Sequence, residues 1–147
     1  MLGDNLGELG GSEYLATIHG TVAGMPPALD LAREAALQKL IVTLIRGGLV
    51  DSAHDCSDGG LAVTLAECTF NSGGIGVSAD VAATAGGDQP LGWSAEWQAN
   101  ASLFGESASR IVVSASPDKL DAVLAAAKDA GVTATVIGKT GGDRIRL

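Results

Sequence analysis

From residue 28 to the end of the chain, segments whose apolar residues recur at helical spacing alternate with short β-branched runs. That alternation restricts the chain to an α/β arrangement. The clearest helix is "ALDLAREAALQKLIVTLIRGG", in which Leu37, Leu40, Ile41, Leu44 and Ile45 share one face and Asp30, Glu34 and Gln38 another. Pro26 and Pro27 precede it, and Gly47 with Gly48 stops it. "LVDSAHD" then reads as a strand, and "GLAVTLAECTF" as the most apolar helix, wet only along Thr64, Glu67 and Asn71. "NSGG" ends that helix, and "IGVSADV" is the next strand. Residues 82–91, "AATAGGDQPL", read as a flexible loop of small residues.

Further on, "GWSAEWQANASLFGES" places Trp93 and Trp97 on one side of a helix, where core packing is the expected use of both indoles. "SRIVVSA" is a strand, and Ser116 with Pro117 provides a cap and a first-turn proline for "DKLDAVLAAAKDAG". In that helix Leu120, Val123, Leu124 and Ala127 point inward. "VTATVIG" and "RIRL", turned by "TGGD", are expected to close the chain as a hairpin. At the other end, "GELGGSEYLATIHG" is a loop followed by a short element of undecided type. The expectation is an α/β fold, a mixed β-sheet covered by helices, in a single domain over residues 1–147.

A chain of 147 residues buries enough surface to fold without staples. No apolar run approaches the roughly 18 residues needed to span a bilayer, and "MLGDNLGELGG" has neither a basic nor an apolar leader region. A soluble, cytoplasmic protein is expected, without membrane partners. Formal net charge is −8, with nine Lys and Arg, and aromatics make up 3% of residues. Phosphate neutralisation and base stacking are therefore both poorly supplied, which sets nucleic-acid binding aside. Cys56 and Cys68 stand 12 positions apart in apolar company and read as buried free thiols rather than zinc ligands.

Three polar clusters can carry chemistry. In "HDCSDGGLAV", Ser57 or Asp58 can cap a helix, while Gly59 and Gly60 permit close approach to the backbone. The same amides can hold a phosphate, against the repulsion of Asp55 and Asp58; capping and phosphate contact both stay open. In "LFGESASR", Glu106, Ser107 and Arg110 can bind a polar ligand, or Glu106 can pair with Arg110 on the surface. In "GELGGSEY", Glu8 and Glu13 can ligate magnesium or be ordinary loop acids. A G-x-x-x-x-G-K-[ST] loop, a G-x-S-x-G elbow and an H-E-x-x-H helix are all missing from the sequence, so no catalytic or metal-ligating residue is assigned.

"GELGGSEYL", "HDCSDGGLAVTLAEC" and "LFGESASRIVVS", in this order, resemble the C-terminal domain of phosphoribosylformylglycinamidine synthases, the formylglycinamide ribonucleotide amidotransferases of purine synthesis. "D-x-S-D-G-G-L-A" is shared with aminoimidazole ribonucleotide and selenophosphate synthetases, whereas "L-G-G-S-E-Y" points to the purine synthases. The resemblance implies an aminoimidazole ribonucleotide synthetase C-terminal-domain-like fold in a fragment of a larger multidomain synthetase. It implies ATP and Mg2+ as cofactors of the intact enzyme, neither held tightly by this domain alone. It also implies partnership with upstream ATP-handling domains of the same chain and with a glutaminase subunit or domain. The intact enzyme would activate the formyl amide oxygen with ATP and let ammonia displace phosphate, giving the amidine, ADP and phosphate; the fragment itself would be inactive. In the family's first half an E-S-Q loop meets the ribonucleotide. Glu106, Ser107 and Ala108 stand at the matching place, with alanine for glutamine, which implies a pseudo-symmetric second site. By this resemblance Ser57, Gly59, Gly60, Glu106 and Ser107 face a cleft between domains.

Overall fold

A computed structural model describes residues 1–70, 72–84 and 94–147. Its elements are α1 (Glu13–His19), α2 (Leu31–Arg46), β1 (Ser52–Asp55), α3 (Gly60–Glu67), β2 (Val77–Ala79), α4 (Ala95–Phe104), β3 (Ile111–Ser114), α5 (Leu120–Asp129), β4 (Gly138–Thr140) and β5 (Ile145–Arg146). Pro117–Lys119 form a 3-10 turn ahead of α5, and Ala82–Thr84 form another at the start of the segment expected to be a loop. The rest of that segment, Trp93 and Asn71 lie outside the described residues.

β1 pairs antiparallel with β3, from Ser52 opposite Ser114 to Asp55 opposite Ile111. Residues 1–3 continue this sheet: Leu2 exchanges both backbone hydrogen bonds with Ile111, while Gly3 donates to Thr133 and Thr135 donates to Met1. Side chains on neighbouring strand positions leave on opposite faces, so Ile111 and Val113 pack one way and Val112 the other. On the first face Leu37, Leu40 and Leu44 of α2 meet Val123 and Ala127 of α5 and Leu2. On the second, Met1 meets Leu61 and Leu65 of α3 and Val77 and Ala79 of β2. Helices thus cover both faces, which is the α/β arrangement the sequence pattern requires.

α2 starts where Asp30 accepts hydrogen bonds from the Ala32 and Arg33 amides and ends before Gly48, at φ 63°. Its buried stripe is Leu37, Leu40 and Leu44; Ile45, expected inward, is 55% exposed because it sits a further 100° round the helix. The undecided N-terminal element is α1, capped by the Ser12 hydroxyl accepting from the Leu15 amide.

Four expectations fail for tertiary reasons. The expected terminal hairpin does not form: β2 lies between β4 and β5, antiparallel to the first and parallel to the second. The sheet is accordingly two short sheets, linked by residues 133–140, whose first half pairs with residues 1–3 and whose second half pairs with β2. The wet stripe expected on α3 holds at Glu67, which is exposed, and fails at Thr64. Thr64 is buried, its hydroxyl donating to the Gly60 carbonyl at 3.0 Å, while Val63 faces outward. Cys68, expected buried, is exposed, whereas Cys56 is half-buried. Trp97 is 41% exposed and stacks on His19 of α1, with ring centroids 5.7 Å apart, so it covers α1 rather than the core.

Candidate functional site

The three polar clusters, separate in sequence, meet at the carboxylate of Glu106. The loop after α4 carries Glu106 between Gly105 and Ser107, and its amide donates to the Glu8 carbonyl at 2.8 Å. Its Oε1 accepts from the Gly59 amide at 2.8 Å and from the Glu13 amide at 2.9 Å. One oxygen therefore closes the starts of both α3 and α1. Hydrogen bonds from amides to an ionised carboxylate are among the stronger of their kind, and the positive ends of both helix dipoles favour the charge.

α3 needs this external acceptor because its own residues do not supply one. The hydroxyl of Ser57, a candidate cap, donates to Asp55, and no side chain of the loop caps the helix. Ser57 and Asp58 are exposed, and the Gly60 amide closes a turn onto the Ser57 carbonyl at 3.1 Å. Gly59 and Gly60 both have positive φ, 78° and 66°. Gly60 is also buried where a Cβ would lie 2.5 Å from the Gly105 carbonyl oxygen. The expectation of close backbone approach is met here, by the loop after α4.

Beneath Glu106 lies a polar network. Ser107 is fully buried, and its hydroxyl accepts from the Leu6 and Glu8 amides at 3.2 and 3.4 Å. It faces the domain interior rather than an open cleft, because the 5–8 loop covers it. Arg110, 2% exposed, donates to the Ser107 and Gly105 carbonyls at 2.8 and 2.6 Å and to Asn5 at 3.2 Å. Asn5 in turn donates to Ser102 and Thr84. Neither surface pairing with Glu106 nor ligand contact describes Arg110; it is an internal clamp on the two carbonyls that flank Glu106. Asn5 carries no motif, so only the fold reveals its part. Glu8 accepts from the Ala28 amide at 2.9 Å through Oε1, while its buried Oε2 has no hydrogen-bond partner.

Compared with known proteins, residues 1–147 match the family described as "AIR synthase related protein, C-terminal domain". The chain belongs to that family. It is 46% identical over 142 residues to the phosphoribosylformylglycinamidine synthase subunit PurL of Moorella thermoacetica, covering 97% of this chain and 18% of that protein. It is 44% identical over 147 residues to the PurL of an Anaeromyxobacter species, covering 100% of this chain and 19% of that protein. The chain thus spans about a fifth of the length of these relatives. Among solved structures it resembles Thermotoga maritima PurL complexed with ATP, with a TM-score of 0.66, 20% identity, and coverage of 99% of this chain and 21% of that one. That likeness establishes the fold.

For an AIR synthase-related C-terminal domain, this chain offers a nucleotide little charge complementarity. The Gly59 amide already serves Glu106, and the Arg110 guanidinium serves internal acceptors. Asp55 flanks the loop, Asp58 belongs to it, and Glu67, at the far end of α3, pairs with His54 at 3.7 Å. The Ser57 hydroxyl lowers the Asp55 pKa, which keeps that negative charge in place. Among the described residues no group of three or more His, Cys, Asp or Glu side chains is arranged to hold a metal ion. The described residues of this loop therefore do not by themselves fit ATP and Mg2+. Burial raises the thiol pKa values of Cys56 and Cys68, which suits neither to be an activated nucleophile.

Proposed function

We propose that this chain is the C-terminal domain of a phosphoribosylformylglycinamidine synthase that makes formylglycinamidine ribonucleotide from formylglycinamide ribonucleotide, ammonia and ATP. The observation that carries the reading is the 46% identity to M. thermoacetica PurL over 97% of the chain. The meeting of all three resembling segments at Glu106 supports it. T. maritima PurL has been solved with ATP and with FGAR. In this reading ATP with Mg2+ is handled by upstream domains of the same polypeptide, a glutaminase subunit or domain supplies ammonia, and the enzyme works in the cytoplasm. Ser57, Gly59, Gly60 and Glu106 rim the cleft between domains, and Ser107 supports that rim from inside. The purified chain is then expected to release no ADP from ATP in the presence of the ribonucleotide and ammonia. Turnover by the chain alone overturns the reading.

A second reading, favoured by the occupied Gly59 amide, is that the domain is a wall of the cleft with no ligand of its own. Amide NMR shifts of residues 57–60 during titration with ADP and Mg2+, or with the ribonucleotide, separate the two. Unmoved amides at saturating ligand select the wall.

A further inference from the structure

We propose that Glu106 is a positioning residue, whose carboxylate ties the start of α1 to the start of α3 and thereby sets the shape of the Ser57–Gly60 loop. Its two donors, the Glu13 and Gly59 amides, belong to separate helices and share one oxygen at 2.9 and 2.8 Å. Gly59 has no substitute acceptor from its own loop, because the Ser57 hydroxyl is turned to Asp55 and α3 lacks a side-chain cap. Glu106 itself is held from both sides: Arg110 takes the carbonyls of Gly105 and Ser107, and the Glu106 amide is bound to the Glu8 carbonyl. The clamp holds this carboxylate at a fixed place, and the oxygen it presents is already taken by the two helix amides. Because both amides share that oxygen, a displacement of residue 106 alters both bonds together.

The lock stands on geometry alone, while its consequence for the cleft rests on the proposed function. It is tested on the 147-residue chain by amide hydrogen exchange and shifts at positions 13 and 59 in three variants. Glu106→Ala, which removes the acceptor, is expected to speed exchange at both amides by at least about tenfold. Glu106→Gln, which keeps an acceptor oxygen, is expected to stay within about threefold of the parent. The Leu2 and Ile111 amides, paired with each other across the sheet, report whether the fold survives.

If Glu106→Ala unfolds, Glu13→Pro decides. Proline is favoured at the first helical position and follows an extended Ser12, at ψ 158°, so it deletes the α1 donor with little harm to the helix. The Gly59 resonance is expected to shift although residue 13 is distant in sequence. An unmoved Gly59 resonance, or native exchange at both amides in Glu106→Ala, overturns the lock. In the intact synthase, Glu106→Ala is expected to raise the ribonucleotide KM more than it lowers kcat, with partial recovery in Glu106→Gln. Unchanged kinetics with a confirmed lock would refute the cleft reading and leave the lock standing.

Discussion

A guanidinium at position 110 is buried at 2% exposure, and its bonds are to the Ser107 and Gly105 carbonyls and Asn5 rather than to a carboxylate. Burial lowers its pKa, yet arginine keeps its charge at any working pH, so the hydrogen bonds have to offset the desolvation. Replacing Arg110 with alanine leaves these acceptors without donors. The expected loss is about 3–5 kcal/mol of stability, measured by urea unfolding at unchanged m-value. Lysine should recover only part of it, since a single ammonium cannot span the fork. At Gly60, alanine would place its Cβ 2.5 Å from the Gly105 oxygen at a φ of 66°. A destabilisation of at least about 2 kcal/mol is expected by the same measurement. The special status of both glycines was legible in "SDGG", since paired glycines before an apolar run signal unusual backbone. The direction of Arg110 was not, because its proximity in sequence to Glu106 says nothing about which side of the loop each faces.

At the scale of elements, α2 shows what periodicity conveys and where it stops. The stripe of Leu37, Leu40 and Leu44 followed from spacing, whereas Ile45 at its edge depended on how wide a face the sheet covers. On α3 the rule that polar residues mark the wet side holds at Glu67 and fails at Thr64. Thr64 is buried because its hydroxyl satisfies itself on the Gly60 carbonyl one turn back, an option that spacing does not display. Position 68, at the exposed end of α3, reverses the expectation for its thiol. Alkylation is therefore expected at Cys68 before the half-buried Cys56; mass spectrometry of peptides during an iodoacetamide time course checks this. Equal rates at the two thiols would contradict the placement of α3. β5 was recognisable as a strand, but the strand expected over residues 132–138 makes only a bridge from Ala134 to Leu2, and β4 begins where it ends, with Thr140 of the expected "TGGD" turn paired to β2.

On the scale of the whole molecule, the first residues are interior ones. Met1 is 6% exposed, and its backbone nitrogen donates to the Thr135 carbonyl at 2.7 Å, which completes the second core between residues distant in sequence. A second feature is the exposed apolar run of Ile18, Val22, Met25, Leu29 and Leu31, with Met25 at 83% and Val22 at 81%. The chain is expected to self-associate through it, and Val22→Ser with Met25→Ser to reduce the sedimentation coefficient at high concentration.

By itself, the sequence determined the alternation of helices and strands, the inward stripes of α2 and α5, and the three polar segments whose resemblance led to the family. These rest on periodicity, turn chemistry and motif, all local in the chain. Tertiary structure decided what joins those segments: one Glu106 oxygen holding two helix starts, Arg110 clamped beneath it, and Ser107 turned inward. The Glu106 contacts span 47 and 93 residues, and the local Arg110 bonds take their direction only once packing has placed the loops against one another.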